Sequence, residues 1–483
     1  MSPPVILWFR QDLRLTDNPA LQAAADTGQP VIPVYILDEE SPDVRRHGGA
    51  SRWWLHHSLR SLAASLEERG ATLVLHRGPA ADVIARLQRD TGATRVFWNR
   101  LYEPALIERD RGIKAALGDS GVEAQSYNGS LIREPWEIQT KTGKPYGVFT
   151  PFWKALLEQG VSGSALPAPA QIPGPANPIA GDALEDWELL PTKPDWAGGL
   201  RKTWRPGEAA ARHLLGNFHE DALTDYASMR DIPGRPGTSR LSPYLHFGEI
   251  SPRQVWQATS SWAQASGGDI EKAANAYLRE IGWRDFNHHL LFHFPHLPDR
   301  NVNAAFDAFP WQRDETRLRA WQRGRTGYPL VDAGMRELWQ TGWMHNRVRM
   351  VVASFLVKHL LIDWREGERW FWDTLVDADL ANNAGNWQWV AGCGFDAAPY
   401  FRIFNPTLQA EKFDPDGAYV RRWVPEIADL PDKFLHKPWE APEGVLKAAG
   451  VRLDDTYPAP IVDHKAARQR ALAAFASVKK GSA

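Results

Sequence analysis

The sequence predicts an N-terminal α/β domain with a doubly wound parallel sheet, a long linker, and a large all-α C-terminal domain. Three observations carry this expectation. Short apolar, β-branched runs alternate with helical patterns over the first 130 residues, a proline-rich stretch follows, and from about residue 204 only helical periodicity recurs. A chain of 483 residues also exceeds what one hydrophobic core usually organises. The expected boundaries are 1–130, 131–203 and 204–478.

The strands are expected at VILWF (5–9), VIPVYIL (31–37), TLVLH (72–76) and RVFWN (95–99). Between them, SRWWLHHSLRSLAASLEERG spaces its apolar positions three and four apart and closes on glycine, a helix signature. The first strand runs into FRQDLRLTDNPAL, which contains no glycine. The phosphate-cradling dinucleotide fingerprint is therefore missing, and NAD binding is not expected. Residues 160–183 hold five prolines with little periodicity, a linker composition expected to cross a domain surface. GEAAARHLLGNFH, LVDAGMRELWQTG and RMVVASFLVKHLL then read as amphipathic helices of the second domain.

Net charge is −2, which argues against bulk polyanion binding. Charge is uneven, however: Trp311 to Arg349 holds eight arginines against four acids, either a phosphate-facing patch or a solvated helix face. A lone cysteine, Cys393, rules out a disulfide framework and fits a reducing, cytoplasmic setting. The N-terminus lacks the pattern of a signal peptide, and no run of 18 apolar residues predicts a membrane span. Tryptophan is the outlier, with 23 copies against 11 tyrosines. Such usage points to packing, stacking on flat ligands, or electronic work by indole rings.

Four stretches could carry chemistry. GTSRLSPYLHFGEISPRQVW (237–256) offers hydroxyls and backbone N–H groups at a helix start beside an arginine, suited to a phosphate or to a simple cap. In WRDFNHHLLFHFPH (283–296), His289 and His293 stand four apart without the glutamate or cysteine of a zinc site, so packed histidines are expected rather than a metal. TGYPLVDAGMRELWQTGWMHNRVRM (326–350) places amide and guanidinium groups among tryptophans. DADLANNAGNWQW (377–389) crowds two carboxylates, three asparagines and two indoles into what reads as a loop. That mixture suits a flat, hydrogen-bonding ring: an asparagine amide both donates and accepts, as a flavin nitrogen with a redox-dependent proton requires.

Nearly the whole chain resembles the photolyase/cryptochrome family, on WFRQDLRLTDN, GTSRLSPYLHFGEISPRQ, TGYPLVDAGMRELWQTGWMHNRVRM, and NNAGNWQW followed by DAAPYFRIFNP. The resemblance implies an α/β antenna-binding domain and a helical domain that holds folded FAD, active in its reduced anionic form. It assigns Tyr226 and the run Thr238, Ser239, Arg240, Leu241 and Ser242 to pyrophosphate and ribose. Arg284, Asn346 and Arg349 would touch flavin or adenine; Asp377, Ala378 and Asp379 would line the flavin edge and ribose; Asn383 would face flavin N5. Asn382 and Asn386 are left as turn and capping residues.

For the reaction, the resemblance implies UV-damaged DNA as partner and a pyrimidine dimer flipped out of the stack. Trp283 and Trp389 would wall it, Met350 floor it, and Glu280 hydrogen-bond its carbonyls. Arg347, Arg402 and Gln409 would hold phosphates without reading sequence. Trp387, Trp364 and Trp311 match the family's chain of three that carries electrons to oxidised flavin. Asn346 with Met350 four residues on points to the cyclobutane-dimer type, and no long C-terminal tail of the cryptochrome kind is seen. A blue-light photoreceptor is the alternative. A light-independent flavin oxidoreductase would leave the Trp283–Trp389 pair unexplained. The folate-binding Asn-Glu pair of many bacterial relatives is replaced by Ala105 and Leu106 in YEPALIERD, while GGASRWWL (48–55) resembles another branch. Methenyltetrahydrofolate in a different pose is the expected antenna, with a deazaflavin or no antenna as the other options. A monomer without metal is expected.

Overall fold

A computed structural model describes residues 2–480 except 162, 269 and 398–400. Among the described residues, one sheet contains five strands: β1 (Val5–Phe9), β2 (Val31–Leu37), β3 (Val74–Arg77), β4 (Arg95–Asn99) and β5 (Glu123–Tyr127). All neighbours are parallel, in the order β3-β2-β1-β4-β5. Register runs Val5 opposite Val31 and Arg95, Val34 opposite Val74, and Arg95 opposite Glu123. The third strand begins two residues later than TLVLH suggests. The fifth, EAQSY, was not expected: it is an edge strand with a polar, half-exposed face, so it lacks an apolar run.

Helices α1 (Pro19–Asp26), α2 (Gly49–Glu67), α3 (Ala80–Thr91) and α4 (Pro104–Asp119) connect these strands. Local chemistry sets their ends. Asn18 caps α1 by accepting from Leu21 N at 3.0 Å, with Pro19 in the first turn, where its missing N–H costs nothing. Ile6, Trp8, Ile32, Val34 and Ile36 of the strands pack with Val83, Ile84 and Leu87 of α3 into a dry core.

By contacts the chain forms two compact units, interleaved along the sequence: 1–224 with 239–295 and 376–381, and 225–238 with 296–375 and 382–483. Residues 131–203 belong wholly to the first unit. The proline-rich stretch follows the α/β layer, with Val31 N donating to Pro173 O at 2.8 Å and Asp182 N to Leu75 O at 2.7 Å. Gly181 permits this approach, since a Cβ there would sit 2.9 Å from Leu75 O.

Two of the recognised motifs meet within the first unit. Leu13 N donates to Phe247 O at 3.1 Å, and Gly248, at φ +66°, would place a Cβ 2.1 Å from Gln11 O. The buried Arg14 guanidinium donates to the carbonyls of Gly248, Asp17 and Gly129. Ser251 and Gln254 form a capping box for the Pro252–Ser266 helix, which accounts for the SPRQ stretch. In the second unit the Pro329–Thr341 helix packs on the Asn346–Ser354 and Ala418–Trp423 helices. Among the described residues, no helix is long and apolar enough to cross a membrane.

Candidate functional site

The expected site residues are divided between the two units. In the first, the Ile270–His293 helix carries half-buried Glu280, Trp283 and Arg284 within two turns. Its close packing depends on Gly282, where a Cβ would fall 2.4 Å from the Trp153 ring. The Trp283 indole is stacked on Phe149 with centroids 3.7 Å apart and planes 9° from parallel. Arg284 Nη1 donates to Ser130 O at 2.7 Å. Asp285 accepts from Ile132 N at 2.7 Å, and burial, partly offset by Arg284 and His288, pushes its carboxyl up to about 6. His289 is enclosed by Tyr146 N and Pro135 O, both at 3.1 Å, and His293 also meets Pro135 O. These two rings serve as packing elements between backbone groups.

Asp377, Ala378 and Asp379 are all buried. Ser242 Oγ donates to Asp377 Oδ2 at 2.6 Å, which joins one end of the GTSRLS motif to the acidic one. Asp379 Oδ2 lies 3.3 Å from His288 Nε2 and 4.0 Å from His246 Nδ1. Burial alone would raise the Asp379 carboxyl, but His288, His246 and Arg284 hold it far below the usual carboxylate range. His288 Nδ1 meets Arg284 O at 3.0 Å. A carbonyl and a carboxylate only accept, so both ring nitrogens must donate and the ring is an imidazolium. Burial opposes that charge, yet Asp379 outweighs it and raises the His288 pKa above its ordinary value. Burial, with the charge of Asp379 beside it, pushes the Glu103 carboxyl up to about 7. Among the described residues, neither ring nitrogen of buried His246 has a hydrogen-bond partner.

The remaining members of the phosphate run are local. Ser239 is buried, Leu241 is buried, and Arg240, at φ +53°, lays its guanidinium 4.5 Å over the Trp204 ring. The expected helix start is short, five residues from Ser242 to His246.

The second unit holds the others. Tyr226 is buried with Arg230 5.3 Å over its ring, and Thr238 is half-buried. Asn346 is exposed at the start of its helix, behind the His345 cap; Arg349 Nε donates to Met344 O at 2.8 Å, and Met350 is half-buried. Arg347 bridges Asp231 at 2.8 Å and covers Phe413 at 4.4 Å. In the arginine-rich segment, Arg336 likewise pairs with Glu426 at 2.7 Å, so part of the local excess is neutralised.

DADLANNAGNWQW is not a loop beyond its first three residues: 380–391 is helical. Asn386 donates to Asn382 O at 2.8 Å inside that helix, so neither residue is a turn. Buried Ala381, Ala384, Gln388 and Ala391 recur at spacings of three and four, a stripe that outweighs the weak helix preference of three asparagines. Buried Asn383 donates from Nδ2 to Glu368 O at 3.0 Å and Oε1 at 2.8 Å. With both N–H groups engaged, the amide presents its oxygen, an acceptor.

Trp387 is wedged between Phe371, at 5.0 Å, and Trp321, at 6.2 Å. Trp364 is fully buried and donates to Asn301 Oδ1 at 2.9 Å. Trp311 is half-exposed against Phe309 at 4.3 Å. Trp389, also half-exposed, donates to Asp396 O at 3.1 Å and lies 5.5 Å under the exposed Arg402 guanidinium. Gln409 is half-buried on the Pro406–Phe413 helix. Ala398, Pro399 and Tyr400 of DAAPYFRIFNP lie outside the described residues.

Glu368, His288 and Glu103 were not anticipated. Glu368 and His288 orient or bias an expected residue and Glu103 is biased by one, Asp379, and nothing in sequence spacing pairs positions fifteen or more apart. In the first unit, ionised Asp379 and the buried His246 imidazole are groups that a hydrogen-bonding ring would satisfy, and in the second the Asn383 amide, held oxygen-outward, is another.

Comparison with known proteins agrees with this geometry. Residues 5–173 match the family described as DNA photolyase, and residues 277–477 match the FAD binding domain of DNA photolyase. A deoxyribodipyrimidine photo-lyase of Agrobacterium fabrum is 54% identical over 480 residues, covering 99% of each chain. Cryptochrome-2 of Arabidopsis thaliana is 44% identical, over 97% of this chain and 78% of that one. Among solved structures, a class III photolyase from Agrobacterium tumefaciens superposes with a TM-score of 0.96 at 54% identity, over 99% of this chain and 98% of that one. A Synechocystis cryptochrome follows at 0.88 and 32%, over 98% of this chain and 99% of that one. The chain belongs to the photolyase/cryptochrome family and carries its FAD-binding domain.

Proposed function

We propose that this protein repairs cyclobutane pyrimidine dimers in UV-damaged DNA by light-driven electron transfer from reduced FAD. The observation that carries the reading is the match of 54% identity over 99% of the chain to a protein named deoxyribodipyrimidine photo-lyase. Glu280 and Trp283, side by side on one helix with the indole seated on Phe149, support it from the site. When bound and reduced, FAD supplies light absorption and the transferred electron.

The chain's own groups do the rest. Asp377 and Asp379 would bind the flavin edge and ribose, with His288 and Ser242 holding them in place. The Asn383 oxygen, turned outward by Glu368, would accept a hydrogen bond from N5–H, which is present in reduced flavin. Tyr226 and residues 238–242 would hold pyrophosphate and ribose, while Arg284, Asn346 and Arg349 contact the rings. Trp283 and Trp389 would wall the flipped dimer, Met350 would floor it, and Glu280, protonated, would donate to its carbonyls. Arg347, Arg402 and Gln409 would position phosphates. Trp387, Trp364 and Trp311 would conduct electrons inward to oxidised flavin; two are buried and the third reaches the surface.

An antenna folate has a candidate place in the first unit. A cavity of about 490 Å³ is lined by Trp53, Trp204, His57, Arg60, Arg201 and Arg205. The indole edges give the cavity an apolar wall, and the guanidiniums suit glutamate carboxylates. Trp53 comes from the GGASRWWL stretch. A deazaflavin, the other option, would be expected at the carboxyl ends of β1 and β4, where the strand order reverses. There Arg10 bridges Asp110 at 2.6 Å, Arg109 bridges Asp38 at 3.1 Å, and both guanidiniums cover Trp8.

The deciding experiment incubates prereduced protein with a dimer-containing oligonucleotide in blue light and in darkness. Loss of dimers only in light is expected. A protein that retains FAD yet removes no dimers would instead be a photoreceptor, the reading favoured by its 44% identity to a cryptochrome.

A further inference from the structure

We propose that Lys358 is a positioning residue for DNA binding, holding the Phe401–Arg402 backbone so that the Arg402 guanidinium stands over Trp389. The inference rests on the reading of Arg402 and Trp389 as DNA contacts. All of these residues lie in the second unit.

Lys358 is 1% exposed, within a π-helical turn, Phe355–His359, closed by Leu360 N donating to Phe355 O at 3.1 Å. Such turns are rare and are found frequently at functional sites. Lysine is almost never buried unless something satisfies its charge. Here Nζ donates to Arg402 O at 2.8 Å and sits 3.7 Å over the Phe401 ring. Phe401 is in turn stacked on Phe475 of the His464–Lys480 helix, at 4.4 Å and 4°. A second tether joins the same elements: Phe404 N donates to Ser354 Oγ at 3.3 Å. Segment 401–404 is thus pinned at both ends to one turn of helix, and the exposed Arg402 side chain projects from the pinned part.

Among the described residues Lys358 has no carboxylate partner. The titratable or charged groups facing it are Cys393 and Arg402, with His359 beside it on its own turn, turned instead to His464 at 2.9 Å. Burial raises the Cys393 thiol to about 12, so it remains neutral. A carbonyl and a ring therefore hold the cation, and its charge strengthens both contacts, so the hold on the 401–402 backbone is firmest while the ammonium is charged. Burial, with Arg402 adding to it, lowers the ammonium to about 7, so the charge is present below that pH and leaves as pH rises through it.

The test uses full-length, FAD-loaded protein and duplexes with and without a thymine dimer, between pH 6 and 8.5. Lys358→Met should weaken dimer-DNA binding roughly tenfold at pH 6.5, with the gap to wild type closing as pH rises. The double variant with Arg402→Ala should bind no worse than Arg402→Ala alone, because the lysine acts through the arginine. Amide exchange of peptide 401–405 should quicken in Lys358→Met without DNA. Equal affinities at pH 6.5, or additive losses in the double variant, overturn the proposal. If Lys358→Met does not fold, the wild-type affinity must still show a pH step that Arg402→Ala lacks; a flat profile overturns it. Should Arg402→Ala bind DNA normally, the assignment of Arg402 fails, and unchanged exchange at 401–405 would separately dismiss the lysine's hold.

Discussion

Gly367→Ala adds one methyl group where the Trp387 indole rests. A Cβ at 367 would stand 2.1 Å from Cη2, 2.5 Å from Cζ3 and 2.6 Å from Cζ2. Carbon atoms settle at about 3.5–4.0 Å, so ring or helix must give by roughly 1.4 Å, the difference between 3.5 and 2.1 Å. The ring cannot retreat freely, since Phe371 and Trp321 flank it. Overpacking of this kind costs about 1–3 kcal/mol, while alanine in place of glycine within the Trp364–Thr374 helix returns about 1 kcal/mol. A net loss of up to about 2 kcal/mol follows, visible as a lowered melting temperature. The displaced indole should also slow light-driven reduction of oxidised FAD, measured by loss of flavin absorbance under blue light with an external reductant. Trp387→Phe, which keeps an aromatic ring but not an oxidisable indole, should block that photoreduction and spare repair by prereduced protein. A Gly367→Ala protein that melts at or above wild type and photoreduces normally would refute both the packing and the electron path built on it.

Glu280→Ala should lower the light-dependent dimer yield while FAD stays bound; an unchanged yield returns Glu280 to an ordinary helix acid. His288→Asn leaves the buried Asp379 carboxylate without its imidazolium, a loss on the order of 3 kcal/mol. The sign with pH is set by the raised His288 value: the stability supplied is complete below the ordinary 6.5 and lost as pH climbs through the higher folded value. Wild type and His288→Asn should therefore converge in thermal melts toward alkaline pH, and parallel curves would dismiss the pair. Trp53→Leu should strip any folate absorbance from the purified protein without removing FAD; retention of the folate band would move the antenna elsewhere.

Residue types at short spacing were enough to forecast four strands, the helical second half, the surface course of 160–183 and the packing role of His289 and His293. Those features are governed by periodicity and local backbone chemistry, which act over a few residues. The edge strand at 123–127 escaped because an edge buries too little to need an apolar run. The helix at 380–391 escaped because its asparagines and glycine favour a helix only weakly, and burial of the alanine stripe, which overrides them, is a tertiary effect. The composition of DADLANNAGNWQW did announce a polar, ring-shaped ligand among indoles, and the long motifs named the family. Only the folded chain decides how those groups are set. Glu368 turns the Asn383 amide, and the imidazolium of His288 keeps Asp379 ionised. Gly367 admits the Trp387 ring, and a buried lysine reaches Arg402 from forty-four residues away. Hydrogen-bond direction, burial and the charge state they impose depend on which distant segments meet, and that is a property of the tertiary structure alone.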